Sequence, residues 1–191
     1  MPARFNFPIF LTWLRIIAIP LFVAVLYFPE SWLTERQANI ISMWIFIAAA
    51  VTDWLDGYLA RRWNQTTSFG AFLDPVADKL MVAAALIVLT ELGRIYAVVA
   101  LIIIGREITI SALREWMAQI GQSKSVAVNI LGKLKTISQL VAIPFLLFNG
   151  VLFGLVHTNP VGRILIWIAA FLTLWSMVVY LKAAMVAPAS K

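Results

Sequence analysis

Four aspartates, Asp53, Asp56, Asp74 and Asp78, stand close together in a 191-residue chain that has only nine acidic residues. They fall into two pairs. Asp53 and Asp56 are three apart and Asp74 and Asp78 four apart, so each pair shares one face of a helix. If the two helix ends are neighbours, the four carboxylates face one another and repel. A divalent cation relieves that repulsion. Hard cations take oxygen ligands, and Mg²⁺ usually combines carboxylates with phosphates and water. Four acids are enough for two ions, which can clamp a phosphoryl group during displacement. The chain has no cysteine, and its single histidine, His157, lies in a Gly/Asn/Pro loop expected to be uninvolved. Any metal site is therefore expected to be built from oxygen.

Three neighbours strengthen the pattern. Gly57 follows Asp56, and Gly70 precedes Asp74 by four; a missing side chain permits close approach by a ligand or another helix. Arg61 can grip a phosphate bidentately. A lone aspartate at a helix end reads as a cap or a dipole partner. Four of them, in register with two glycines and an arginine, read as a site.

The elements that position these residues are read from composition. The chain is 62% hydrophobic, with net charge +6, whereas soluble domains are roughly 45–50% apolar. Long apolar runs with charges confined between them predict an all-α polytopic membrane protein. Residues 1–191 are expected to form a single membrane domain of six transmembrane helices. A separate interfacial segment is expected over 2–12. The spans are expected at about 12–28, 38–60, 75–92, 96–117, 126–148 and 161–186. Asp74-Pro75 is expected to open the third span as N-cap and first helical residue, and Gly93 to close it. The apolar start resembles a signal peptide only loosely, because Arg15 interrupts it, so it is expected to be retained. Trp32, Trp63 and Tyr96 are expected at the membrane interface, and Met81, Met117 and Met185 in packing.

With the N-terminus inside, twelve of the fifteen Lys and Arg residues fall on the cytoplasmic side; Arg36, Arg94 and Arg163 fall outside. The positive-inside rule then places both termini and all four aspartates at the cytoplasmic face. The basic excess is assigned to topology and anionic headgroups. Nucleic-acid binding is not expected, because no aromatic-basic interleaving marks a soluble face.

The stretch Asp53-x-x-Asp56-Gly57-x-x-Ala60-Arg61-x8-Gly70-x-x-x-Asp74-x-x-x-Asp78 resembles the signature of the CDP-alcohol phosphotransferases at every fixed position. The likeness continues through GREITISALREWMA, SVAVNILGKLKTISQ and LTLWSMVVYL, covering nearly the whole chain. It is nearest to bacterial members that use sn-glycerol 3-phosphate as acceptor. The resemblance implies a six-helix fold with a cytoplasm-facing polar cavity, commonly a homodimer, in the bacterial inner membrane. It implies that Asp53, Asp56, Asp74 and Asp78 hold two Mg²⁺ or Mn²⁺ ions. Asp78 would also be the general base, and Asp56, Gly57, Ala60, Arg61 and Gly70 would surround the cytidine diphosphate. The implied reaction passes the phosphatidyl group of CDP-diacylglycerol to the acceptor and releases CMP.

A phosphorylated acceptor needs cations, and Arg106, Arg114, Lys133 and Lys135 are the candidates. Arg106 lies in an apolar run, where an unpaired charge is unfavourable. Glu107 is adjacent but points about 100° away on a helix, so Arg106 is expected to find a partner elsewhere. The bland reading of Arg114, Lys133 and Lys135 is that they mark the membrane boundary. Asn6, Thr12 and Arg15 either border the active site or anchor the first helix. The competing functions are a family member with another acceptor (serine, inositol phosphate or phosphatidylglycerol) and, remotely, a cation transporter. A transporter predicts acids spread through the membrane depth, with repeat symmetry, and this chain has neither pattern.

Overall fold

In the computed structural model, residues 7–62, 68–119 and 130–186 are described. They form α1 (Phe7–Leu26), α2 (Glu35–Arg62), α3 (Ser68–Glu91), α4 (Ala97–Gln119), α5 (Ile130–Phe148) and α6 (Thr158–Val186), with two short strands, β1 (Val151–Leu152) and β2 (Val156–His157). The helices pack through one apolar face each. In α3 that face is Met81, Ala85, Val88 and Leu89, all nearly inaccessible, at the three- and four-residue spacing of a helical stripe. It meets Phe22 of α1, Phe46 of α2, Ile103 of α4 and Ile143 of α5 in one core.

The outward faces are apolar too. α6 exposes Trp167, Phe171, Trp175 and Val178, and a helix apolar all round suits a hydrocarbon surround. Glu35–Leu55 and Thr158–Lys182 are long and apolar enough to cross a membrane; Phe10–Leu26 and Leu134–Phe148 are shorter apolar stretches. The fold is thus a six-helix bundle with membrane-protein character.

α5 and α6 pack most extensively of all pairs. A Cβ added at Gly162 would come within 2.7 Å of Leu146 Cγ and 3.2 Å of the Ala142 carbonyl oxygen. Glycine at 162 lets the two backbones approach.

At one end of the bundle the connections are tied together. α3 ends at Gly93 with φ 67°. There Gly93 N–H donates to Thr90 O and Arg94 N–H to Leu89 O, the paired bonds of a Schellman cap. The buried Arg94 guanidinium then donates to the Leu146 and Leu147 carbonyls at the end of α5 and to Asn39 Oδ1 of α2. It also reaches Glu35 at 3.4 Å. Arg163 of α6 donates back to the Gly93 and Arg94 carbonyls. The aspartate motif lies at the other end.

Three sequence expectations are corrected. The helix from Phe7 runs unbroken to Leu26, with no change of element near Thr12. Asp74 does not cap α3. The helix starts at Ser68 and carries Pro75 inside it, because the largely apolar stretch from Ser68 to Leu73 supplies an additional turn and a half of helix that packs with α1. The connection before α6 also contains a hairpin. Val151 pairs with His157 and Leu152 with Val156, and Thr158 bonds back to Gly150 through both main chain and hydroxyl. Gly93 closes α3 as expected, and Met81 and Met117 are buried. Asn6, Trp63 and the side chain of Met185 lie outside the described residues.

Candidate active site

The site begins on α1. Thr12 and Arg15, one turn apart and both buried, project from the same face. Thr12 Oγ1 donates to Asp74 Oδ1 at 2.5 Å, and Arg15 Nη1 to Asp53 Oδ1 at 2.6 Å. α1 therefore joins the two aspartate helices, α2 and α3. Of the two readings the sequence left open for Thr12 and Arg15, the geometry selects the site border.

Asp78 lies one turn beyond Asp74 and opens, with Asp53, into a cavity of about 860 Å³. That volume is in the range of small-molecule sites. The cavity walls are segregated by helix. α2 and α3 supply Asp53, Asp78 and Lys79; α4 supplies Arg106, Glu107 and Arg114; α5 supplies Lys135 and Gln139; and Tyr180 of α6 closes one side.

The basic wall is organised around Glu107. Lys135, 4% exposed, donates its Nζ to Glu107 Oε1. Arg106 Nη1 donates to the same oxygen at 3.1 Å. The expectation that Arg106 and Glu107 point too far apart to meet is thus corrected: the two long side chains bridge the angular gap. Arg106 also has the partners sought elsewhere. Its Nη2 reaches Ser176 Oγ at 3.3 Å, and its guanidinium lies 5.8 Å from the Tyr180 ring centroid, within cation–π reach. Its buried Nε has no hydrogen-bond partner among the described residues. Two buried cations share one carboxylate, and Arg114 adds a third charge at the cavity wall. This wall has positive charge to offer an anion.

Arg106, Arg114 and Lys135 are therefore brought together as the sequence suggested, beside Asp53 and Asp78. Asp74 engages Thr12 behind them, and Gly70 is buried in the first turn of α3. The side chains of Asp56, Gly57, Ala60, Arg61 and Lys133 lie outside the described residues. Sequence reasoning missed Ser176, Tyr180 and Gln139. A polar residue every third or fourth position on otherwise apolar helices was the available signal: Thr173, Ser176 and Tyr180 on α6, and Lys135, Ser138 and Gln139 on α5. Glu107 was seen but not given a role.

Whether these residues suit a metal is a question of donor chemistry. Among the described residues, no three His, Cys, Asp or Glu side chains converge on one point, and Asp56 lies outside them. The aspartates offer only oxygen. Asp53 and Asp78 are near enough to repel, with Arg15 and Lys79 offsetting part of that charge. An oxygen-only, mutually repelling pair fits a hard divalent cation whose remaining ligands are phosphate or water.

Residues 5–175 match the family model described as CDP-alcohol phosphatidyltransferase. The chain is 51% identical over 183 residues to proteins named CDP-diacylglycerol–glycerol-3-phosphate 3-phosphatidyltransferase in Salmonella typhimurium, Shigella flexneri and Escherichia coli K12. The match spans 95% of this chain and 96% of each relative.

Proposed function

The chain belongs to the CDP-alcohol phosphatidyltransferase family, and from that premise we propose that it transfers the phosphatidyl group of CDP-diacylglycerol to sn-glycerol 3-phosphate, releasing CMP. It is a transferase of phospholipid biosynthesis, like the relatives it matches. The observation that carries the choice of acceptor is the cavity itself. Asp53 and Asp78 on one wall face Arg106, Arg114 and Lys135 on the other. An acceptor that presents a hydroxyl at one end and a phosphate at the other spans such a site. Serine, which carries no phosphate, leaves the cationic wall unused.

Asp53, Asp56, Asp74 and Asp78 would hold two Mg²⁺ or Mn²⁺ ions. When bound, these would neutralise the pyrophosphate and stabilise charge developing on its oxygens. Arg15 and Thr12 fix the Asp53 and Asp74 carboxylates from behind. Asp56, Gly57, Ala60, Arg61 and Gly70 would surround the cytidine diphosphate. Asp78 takes the proton from the 1-hydroxyl of the acceptor. The freed oxygen forms a bond to the β-phosphorus, and the bond from that phosphorus to the bridging oxygen breaks, so CMP carries away the electron pair. Lys135, Arg106 and Arg114, with Lys133, hold the acceptor phosphate. Such chemistry depends chiefly on positioning and electrostatics.

In this reading all six helices cross the bacterial cytoplasmic membrane, both termini are cytoplasmic, and the cavity opens to the cytoplasm. The distribution of basic residues supports it, since Arg94 and Arg163 lie at the end away from the cavity. The acyl chains of the donor then remain in the bilayer while its headgroup enters sideways. The protein acts as a homodimer, which sedimentation in detergent tests.

The deciding assay supplies purified protein with CDP-diacylglycerol, Mg²⁺ or Mn²⁺ and a panel of acceptors, and follows CMP release. Release is expected with glycerol 3-phosphate. Release with serine or inositol phosphate, and none with glycerol 3-phosphate, overturns the assignment.

A further inference from the structure

The hairpin between α5 and α6 has an unusual tip. Leu155 N–H donates to Leu152 O at 3.1 Å, closing a two-residue turn whose central residues, Phe153 and Gly154, have φ of 51° and 71°. Two positive φ values make this a primed turn, where the first central position favours Asn, Asp or Gly. Phenylalanine there is in the left-handed region, which bulky side chains avoid. Its ring gains nothing within the protein, being 87% exposed, with Leu155 85% exposed beside it. Val151 and Val156 add partly exposed apolar surface at the base.

Charge separates this connection from its neighbours. The other two connections at the same end carry Glu30 and Arg94, and Glu35 and Arg36 open the helix that follows the first of them. Residues 149–162 contain no Asp, Glu, Lys or Arg. The hairpin joins α5 to α6, whose outward faces expose Leu140, Val141, Ile164 and Trp167, apolar and aromatic residue types that suit lipid and its interface.

We infer that the tip of this hairpin, Phe153 and Leu155, inserts into the lipid leaflet at the end of the bundle opposite the aspartates, where it acts as a shallow membrane anchor. The inference rests on the reading that the bundle is embedded in a membrane. Burial in lipid accounts at once for the apolar side chains, the missing charges and the tolerated turn strain. The hairpin's own main-chain bonds leave few polar groups to bring along, as insertion requires.

The test uses the absence of cysteine. Leu155→Cys carries a small fluorophore in vesicles of phosphatidylethanolamine and phosphatidylglycerol. Quenching by lipids spin-labelled near the headgroup is compared with quenching by aqueous iodide. Phe171→Cys, midway along α6, is the control for the membrane reading. The expected result is strong quenching of residue 155 by the shallow lipid label and weak quenching by iodide. Adding Phe153→Asn, which suits the turn but not lipid, should shift residue 155 toward iodide. Quenching of residue 155 by iodide alone, while residue 171 responds to lipid labels, overturns the anchor. So does protection from both quenchers, which would mean that a second copy covers the tip. If residue 171 also ignores lipid labels, the membrane reading itself has failed.

Discussion

Replacing Glu107 by glutamine keeps its shape and removes the charge on which Lys135 and Arg106 converge. Breaking a buried ion pair from one side costs about 3–5 kcal/mol. The Glu107 side chain is 24% exposed, so the low end applies, about 3 kcal/mol. Lys135→Met should cost less, about 1 kcal/mol, because Glu107 keeps Arg106 at 3.1 Å. If the sites were independent, the double variant would lose about 4 kcal/mol; removing both charges together should instead cost about 2, a coupling of about 2 kcal/mol. Denaturant titration of the four proteins in mixed micelles, followed by helicity, reads these values. Single costs that add to within about 0.5 kcal/mol would refute the idea that Glu107 organises the basic wall. The same variants separate structure from function, since Lys135→Met should raise KM for glycerol 3-phosphate far more than it lowers kcat. An unchanged KM would assign Lys135 to the scaffold.

Asp78→Asn should abolish CMP release while nucleotide binding, measured by calorimetry, persists; full turnover would remove its role as base. Gly162→Ala places a methyl 2.7 Å from Leu146 Cγ and should destabilise by about 1–3 kcal/mol, with Leu146→Ala in the same chain restoring part of the loss. Arg94→Met leaves the Leu146 and Leu147 carbonyls and Asn39 without their donor. It should cost about 3 kcal/mol or more, seen as a lower denaturant midpoint; a midpoint within error of the parent would show that water replaces the guanidinium.

The chemistry was more legible in the sequence than the architecture around it. Asp53, Asp74 and Asp78 announce themselves because carboxylates at the ends of apolar helices are rare, and the Lys and Arg bias reports the bundle ends. Helix boundaries were less legible near polar sequence. The third span was expected to open at Asp74-Pro75, yet α3 begins at Ser68, because packing against α1 outweighs local propensity. The hairpin escaped notice since Phe-Gly is not a recognised primed-turn pair. Tyr180 and Ser176 were invisible for another reason. Their role depends on α6 returning beside α4, about 70 residues away from Arg106 in the chain, and no local pattern encodes that.

The Arg94 clamp has a mechanical corollary. It fastens α2, α5 and α6 to the α3–α4 turn, at the end away from the aspartates. At the opposite end, the cross-helix bonds among the described residues include Thr12 to Asp74, Arg15 to Asp53, Lys135 to Glu107 and Arg106 to Ser176, and in the proposed reading each uses a group that metal, nucleotide or acceptor phosphate would claim. In that reading the bundle works as a pair of tweezers, riveted at one end and latched at the other by the residues that would grip the cargo. Loading the site would then release the latch. Variants that strengthen the latch should slow substrate entry, while those that loosen the rivet should cost stability first.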